Sequence, residues 1–213
     1  FVLISTGTWC ISLNPFNHLP VTDEELSNDC LCYLQYKGNP VKASRLFAGN
    51  EHELQIKRIA AYFNVGTGVF KAIPFDQAII KKLKLSHQAP STANSWQTCA
   101  FSARPLTAFN SYAEAYHQLM LDIMDQQYRS SEMIIHGTKV RRMFVDGGFS
   151  KNSIYMNLLA DAFPKMEVFA ASMAQATAVG AAIAIHHHWN PKPLPADIIE
   201  LKYYSAARTN SQG

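Results

Sequence analysis

Val145-Asp146-Gly147-Gly148-Phe149-Ser150-Lys151-Asn152 reads as the end of a strand, a double-glycine turn and the opening of a helix. Glycine carries no Cβ, so a ligand can lie directly against the backbone at such a turn. The helix N-terminus behind it offers unpaired N–H groups and a partial positive charge to an anion. Gly147 and Gly148 are therefore candidates for contact with a nucleotide. Asn152, in the first helical turn, is placed to reach a purine or ribose edge. The stretch is neither a GxGxxG fingerprint nor a phosphate-binding P-loop, because no Gly-Lys-Ser/Thr follows four residues after a glycine.

Two earlier glycine turns work outward from this one. Ser5-Thr6-Gly7-Thr8-Trp9 places glycine and threonine at the tip of a hairpin, where Gly7 N–H and the Thr8 hydroxyl can point at a phosphate. Phe47-Ala48-Gly49-Asn50 joins a strand to a helix, with Asn50 and Glu53 spaced as a capping box. A ligand at that helix N-terminus would meet Gly49. Taken singly, each turn is also a plain connector.

The intervening sequence supplies the frame. Residues 1–14 form two strands broken at Gly7, with Trp9, Ile11 and Leu13 alternating against Thr8, Cys10 and Ser12. Cys30 to Tyr36 and Val41 to Phe47 extend this to an antiparallel meander around the Gly38-Asn39-Pro40 turn. A helix follows from Asn50, with Leu54, Ile59 and Phe63 on its apolar face. Residues 64–109 carry Gly66, Gly68, Pro74, Pro90 and Pro105 and read as an insertion with a short helix at 76–85. Ser111 and Glu114 cap a long amphipathic helix bearing Tyr112, Tyr116, Leu119, Ile123 and Tyr128. Strand 139–145, helix 152–163, strand 167–170 and an alanine-rich helix capped by Ser172 and Gln175 complete the order. The tail from Pro191 is expected to fold back over the surface and fray. A meander followed by βα units on one mixed sheet flanked by helices is an α/β, ribonuclease-H-like or actin-like ATPase half-domain. A plain Rossmann fold would not begin with a meander.

Composition narrows the function. The 213 residues are 48% apolar and 16% charged, with a net charge of +3 that is not concentrated anywhere. No basic run with interleaved aromatics points to nucleic acid. The small-apolar run from Ala176 to Ile185 is about half the length a bilayer requires, so no membrane partner is expected. Four cysteines (Cys10, Cys30, Cys32, Cys99) without zinc-ligand spacing read as reduced apolar residues of a cytoplasmic protein. His186-His187-His188 lacks an acidic or cysteine partner nearby in sequence and reads as a helix C-terminus. Lys139, Arg141 and Arg142 read as solvated strand residues. The chain opens on Phe1-Val2-Leu3-Ile4, already the inside of a buried strand, as an internal piece of a longer protein would.

With the three turns in this order, the chain resembles the C-terminal domain of the FGGY carbohydrate kinases. The residues carrying the resemblance are Ser5-Thr6-Gly7-Thr8-Trp9, Val145 to Asn152, and Ala171-Ser172-Met173-Ala174-Gln175-Ala176-Thr177-Ala178-Val179-Gly180-Ala181-Ala182. The resemblance implies a two-domain kinase that uses ATP and Mg²⁺ to phosphorylate a ketose. This chain would be the ATP-binding half, partnered by an N-terminal domain of the same protein, and a homodimer is allowed. Gly7 and Thr8 match the phosphate-contacting pair, Gly49 a glycine at the phosphate end, and Gly148 and Asn152 the adenosine-side glycine and asparagine. The Thr8-Trp9 pair looks more like kinases of 6-deoxy-ketohexoses than those of glycerol or xylulose. The family's catalytic aspartate falls upstream of Phe1, and Asp23, Asp29 and Asp146 do not match it. Asp146 reads instead as a turn residue accepting backbone N–H bonds. The competing expectations are an actin-like scaffold domain that has lost catalysis and an actin-like ATPase that hydrolyses ATP without a sugar acceptor.

Overall fold

A computed structural model describes residues 1–86, 98–172, 176–194 and 198–206. Seven strands form one mixed sheet: β1 (Val2–Thr6), β2 (Cys10–Asn14), β3 (Cys30–Leu34), β4 (Pro40–Leu46), β5 (Arg142–Gly147), β6 (Glu167–Ser172) and β7 (Glu200–Tyr204), in the order β3-β4-β2-β1-β5-β6-β7. β1, β5 and β6 run parallel, while every other pairing is antiparallel. β1 lies in the middle, and its Val2 and Ile4 are fully buried, as the apolar opening of the chain predicts.

Two expectations about the sheet change. The first four strands are not a simple meander, because β4 lies between β2 and β3. A short helix, α1 (Asp23–Ser27), carries the chain out to the edge strand first, closed by a reciprocal Thr22–Glu25 capping box. The tail does not fray throughout. Glu200–Tyr204 pairs antiparallel with β6 and becomes the other edge of the sheet.

The helices are α2 (Ala48–Tyr62), α3 (Gln77–Ser86), α4 (Tyr112–Ile135), α5 (Ser153–Ala162), α6 (Ala176–Ala184) and α7 (His186–Trp189). α4 is the central one, touching β2, β4, α2, α3 and α5. Tyr116, Leu119, Met120, Ile123 and Ile134 are fully buried along it, while Tyr128 stands exposed. Ser111 Oγ accepts from Glu114 N–H at 3.2 Å, and the Glu114 carboxylate accepts in return from Asn110 N–H, one residue outside the expected box. At α2 the Asn50–Glu53 box is absent. That helix begins two residues earlier, after Phe47, with no side-chain cap, and its Leu54 points outward. α3 confirms the short helix of the middle segment, and Asp76 Oδ1 accepts from Ala78 and Ile79 N–H at its start. The alanine-rich helix breaks at Ile185 into α6 and α7. Its expected Ser172–Gln175 cap and Trp96 lie outside the described residues.

Alternation on β2 is real but inverted. Cys10, Ser12 and Asn14 are fully buried against α4, whereas Ile11 and Leu13 are half-buried on the other face. α4 turns polar groups to this strand. Ser12 Oγ lies 3.0 Å from Ser131 Oγ, Gln127 Nε2 donates to both hydroxyls, and Asn14 and Asn17 donate to Ile134 O. Hydrogen bonds offset the desolvation of these groups, so a polar strand face can lie inside.

Candidate functional site

The parallel strands β1 and β5 end side by side, with Thr6 opposite Gly147. Thr6 fastens the two ends together. Its Oγ1 donates to Asp146 O at 2.5 Å and accepts from Phe149 N–H at 3.0 Å, and its carbonyl accepts from Gly148 N–H at 2.9 Å. Gly147 has φ +90°, and a Cβ there would overlap the Thr6 carbonyl oxygen. Only glycine fits this position. On the other side of the hairpin, a Cβ on Gly49 would overlap the Gly7 carbonyl oxygen, and Asn50 N–H donates to Thr8 O. The three glycine turns are therefore packed one on another, with the Thr6-Gly7-Thr8 tip in the middle.

They open into one cavity of about 610 Å³, lined by Gly7, Gly49, His52, Phe70, Lys71, Ile73, Gly148, Phe149, Lys151, Asn152 and Ser153. It lies at the carboxyl ends of two parallel strands and the amino ends of α2 and α5, where open α/β sheets bind ligands. Four of the six expected site residues line it: Gly7, Gly49, Gly148 and Asn152. Thr8 is exposed at the hairpin tip outside the lining, and Gly147 is also outside it, exposed at the turn where it meets the Thr6 backbone. A Cβ on Gly7 or Gly148 would meet nothing within 4 Å, so these two leave space, whereas Gly49 and Gly147 permit close packing.

Three local expectations are corrected by the hydrogen bonds. Gly7 N–H donates to Trp9 O at 2.8 Å, inside the hairpin, and is engaged rather than offered to an anion. Asp146 accepts the Thr6 hydroxyl through its carbonyl, and its carboxylate has no backbone N–H partner among the described residues. The double-glycine turn passes through a 3₁₀ turn, Phe149–Lys151, before α5 begins. Asn152 then caps α5. Its Oδ1 accepts from Ile154 and Tyr155 N–H at 3.0 and 3.2 Å, and its Nδ2 donates to Tyr116 Oη at 2.6 Å.

Sequence reasoning missed the wall of the cavity. His52 Nε2 lies 2.9 Å from the same Tyr116 Oη, and its ring meets Phe70 and Phe149 edge-on at 5.0 and 5.2 Å. Burial pushes the His52 imidazole down to about 4, so it is neutral at pH 7. Burial also raises the Tyr116 hydroxyl. Phe70, Lys71 and Ile73 come from the 3₁₀ turn Val69–Ala72 and its end, inside the segment read as an insertion. No local motif marks them. They reach the cavity because Phe70 packs on Tyr116 of α4.

Among the described residues neither Lys71 nor Lys151 has a carboxylate partner, and the lining contains no Asp or Glu. Also among these residues, no cluster of three His, Cys, Asp or Glu is placed to hold a metal. Three of the four cysteines behave as small apolar groups, burial pushing Cys10 and Cys99 up to about 12 and Cys30 up to about 11, whereas Cys32 is exposed. Arg142 pairs with Glu167. No described helix is long and apolar enough to cross a membrane.

Comparison with solved structures agrees with this architecture. A carbohydrate kinase from Novosphingobium aromaticivorans superposes with a TM-score of 0.63 at 19% identity, over 98% of this chain and 43% of that one. A ligand-bound xylulose kinase from Lactobacillus acidophilus gives 0.61 at 14%, over 97% and 43%. A Plasmodium falciparum glycerol kinase solved with ADP gives 0.53 at 13%, over 89% and 39%. At these identities the likeness is one of fold, and the chain spans about two fifths of each neighbour. No curated protein sequence matches the chain. The family model described as carbohydrate kinase FGGY, C-terminal domain, matches residues 1–193. The chain therefore belongs to the FGGY carbohydrate kinase family, as its C-terminal domain.

Proposed function

We propose that this chain supplies the nucleotide-binding half of an ATP-dependent ketose kinase. The observation that carries the reading is the convergence of three glycine turns on one cavity whose charged side chains, Lys71 and Lys151, are both cationic and have no carboxylate partner among the described residues. A polyphosphate needs such charge, and a nucleoside needs the apolar surface that Phe70 and Ile73 add.

In the proposed reaction a sugar hydroxyl attacks the γ-phosphorus of ATP, the bond to the β-phosphate oxygen breaks, and ADP leaves. The residues of this chain would bind and orient the nucleotide. Gly7 and Gly148 would leave room for it, while Lys71 and Lys151 would balance its charge. The hydroxyl proton must pass to a base. No carboxylate lines the cavity among the described residues, so the base and the sugar contacts are assigned to an N-terminal domain closing over it. Among the described residues the lining has no carboxylate that could hold Mg²⁺ as a protein-bound metal. The ion would arrive with the nucleotide. Trp9 packs on Phe47 at 4.5 Å and lies outside the lining, so the Thr8-Trp9 pair is not assigned to sugar choice.

A coupled ADP assay on the full-length protein tests the reading. ADP release should require both ATP and a ketose, and the 213-residue chain alone should be inactive. Sugar-independent ADP release would indicate a simple ATPase, and nucleotide binding without turnover a scaffold.

A further inference from the structure

His52 takes part in a hydrogen-bond chain whose direction can be read. Asn152 Oδ1 accepts two backbone N–H groups, which fixes the amide orientation and leaves Nδ2 as the donor to Tyr116 Oη. A phenol that accepts there has its single hydrogen left to give. The nearest acceptor is His52 Nε2, at 2.9 Å. Nε2 is then the unprotonated nitrogen, and the ring hydrogen resides on Nδ1. Among the described residues Nδ1 has no partner, and it is absent from the sealed unpaired polar atoms. His52 lines the cavity, so its open nitrogen edge belongs to the cavity wall. The rings of Phe70 and Phe149 fix its plane.

We infer that His52, held as the Nδ1–H tautomer by the Asn152–Tyr116 chain, is a base-recognition residue that donates one hydrogen bond to a ring acceptor of the bound nucleobase. This rests on the nucleotide reading above and adds a specificity residue to it. The base end is favoured because His52 shares Tyr116 with Asn152 and lies among aromatic rings, whereas a phosphate would be drawn to Lys71 and Lys151. Tyr116 is a positioning residue, acting through His52.

The test uses full-length protein with ¹⁵N-labelled histidine, a non-hydrolysable ATP analogue and inorganic tripolyphosphate. His52 should show the Nδ1–H pattern, and its Nδ1 signal should move when the analogue binds. His52→Phe keeps ring volume and should weaken the analogue about tenfold, the loss of one neutral hydrogen bond, while tripolyphosphate binding is unchanged. Tyr116→Phe should release the tautomer towards Nε2–H. An Nε2–H tautomer in the unaltered protein, or equal analogue affinity in His52→Phe, overturns the inference. Parallel loss of tripolyphosphate also overturns it, by placing His52 at the phosphates. If the unaltered protein binds neither probe, the nucleotide reading itself fails first.

Discussion

Glycines that look alike in the sequence do different physical work here. Gly147 and Gly148 are adjacent, yet a side chain on the first would strike the Thr6 backbone and on the second would enter the cavity. Gly148→Val should therefore lower nucleotide affinity by tenfold or more and leave the melting temperature nearly unchanged. Titration calorimetry beside thermal unfolding checks both halves, and equal affinity would remove Gly148 from the site. Gly49→Ala should do the reverse. The added methyl must displace the Gly7 carbonyl, and the cost should be about 1–3 kcal/mol of stability, as for overpacking generally. Which glycine leaves space and which allows contact was not legible in the sequence, because the difference lies in the neighbouring turn.

At the scale of elements, the order of strands and helices was legible from periodicity and turn residues, while the pairing and the buried faces were less so. The β2 alternation was misread because Ile11 and Leu13 outrank Ser12 and Asn14 in any hydropathy pattern. Only α4, more than a hundred residues away, supplies Ser131, Gln127 and the Ile134 carbonyl that make a polar face the inner one. Thr6 shows the same dependence on a distant partner. It unites β1 with the turn after β5 through two hydroxyl hydrogen bonds. Thr6→Val keeps the shape and removes both, leaving Phe149 N–H buried and unpaired. The expected loss is about 1–3 kcal/mol in urea unfolding, together with weaker nucleotide binding as the turn loosens. Unchanged unfolding would show that the clamp is redundant. A similar buried pair joins the middle segment to α4: Arg104 Nε donates to Asp122 Oδ2 at 2.6 Å. Arg104→Met would strand that carboxylate, with an expected cost of about 3–5 kcal/mol in the same measurement. Much of the segment read as an insertion is thus bound into the core, by this pair and by the buried Ile80, Leu83, Phe101 and Leu106.

For the whole molecule, the buried histidines set how stability responds to acid. His52 titrates near 4 in the folded chain because burial disfavours its cation, against an ordinary 6.5. Between those values the unfolded chain binds the proton and the folded one does not, so stability rises with pH there. The contribution is whole above pH 6.5 and is lost as pH falls through about 4; the gap corresponds to about 3 kcal/mol. His117 acts in the same sense. It is fully buried, accepts from Asp76 N–H through Nε2, and is lowered by burial. Asp122, raised by burial above its ordinary value, acts in the opposite sense, favouring the folded chain as pH falls through the interval above that value. Glu25 and Glu114 are held low against desolvation by Lys42 and Lys82, and they lose stability only below the ordinary carboxylate range. The groups around His52 do not confuse its window. Tyr116, Phe70 and Phe149 are uncharged there, and Glu53 beside it on α2 favours the cation only as a minor effect against burial. Unfolding free energy measured from pH 7 to pH 4 should therefore fall steeply in the unaltered protein. In His52→Gln, whose side chain does not titrate, the fall should be shallower by about 3 kcal/mol, whatever the variant's stability at pH 7. Parallel curves for the two proteins would mean that His52 is not held neutral, and the hydrogen-bond chain through Tyr116 would lose its direction with it.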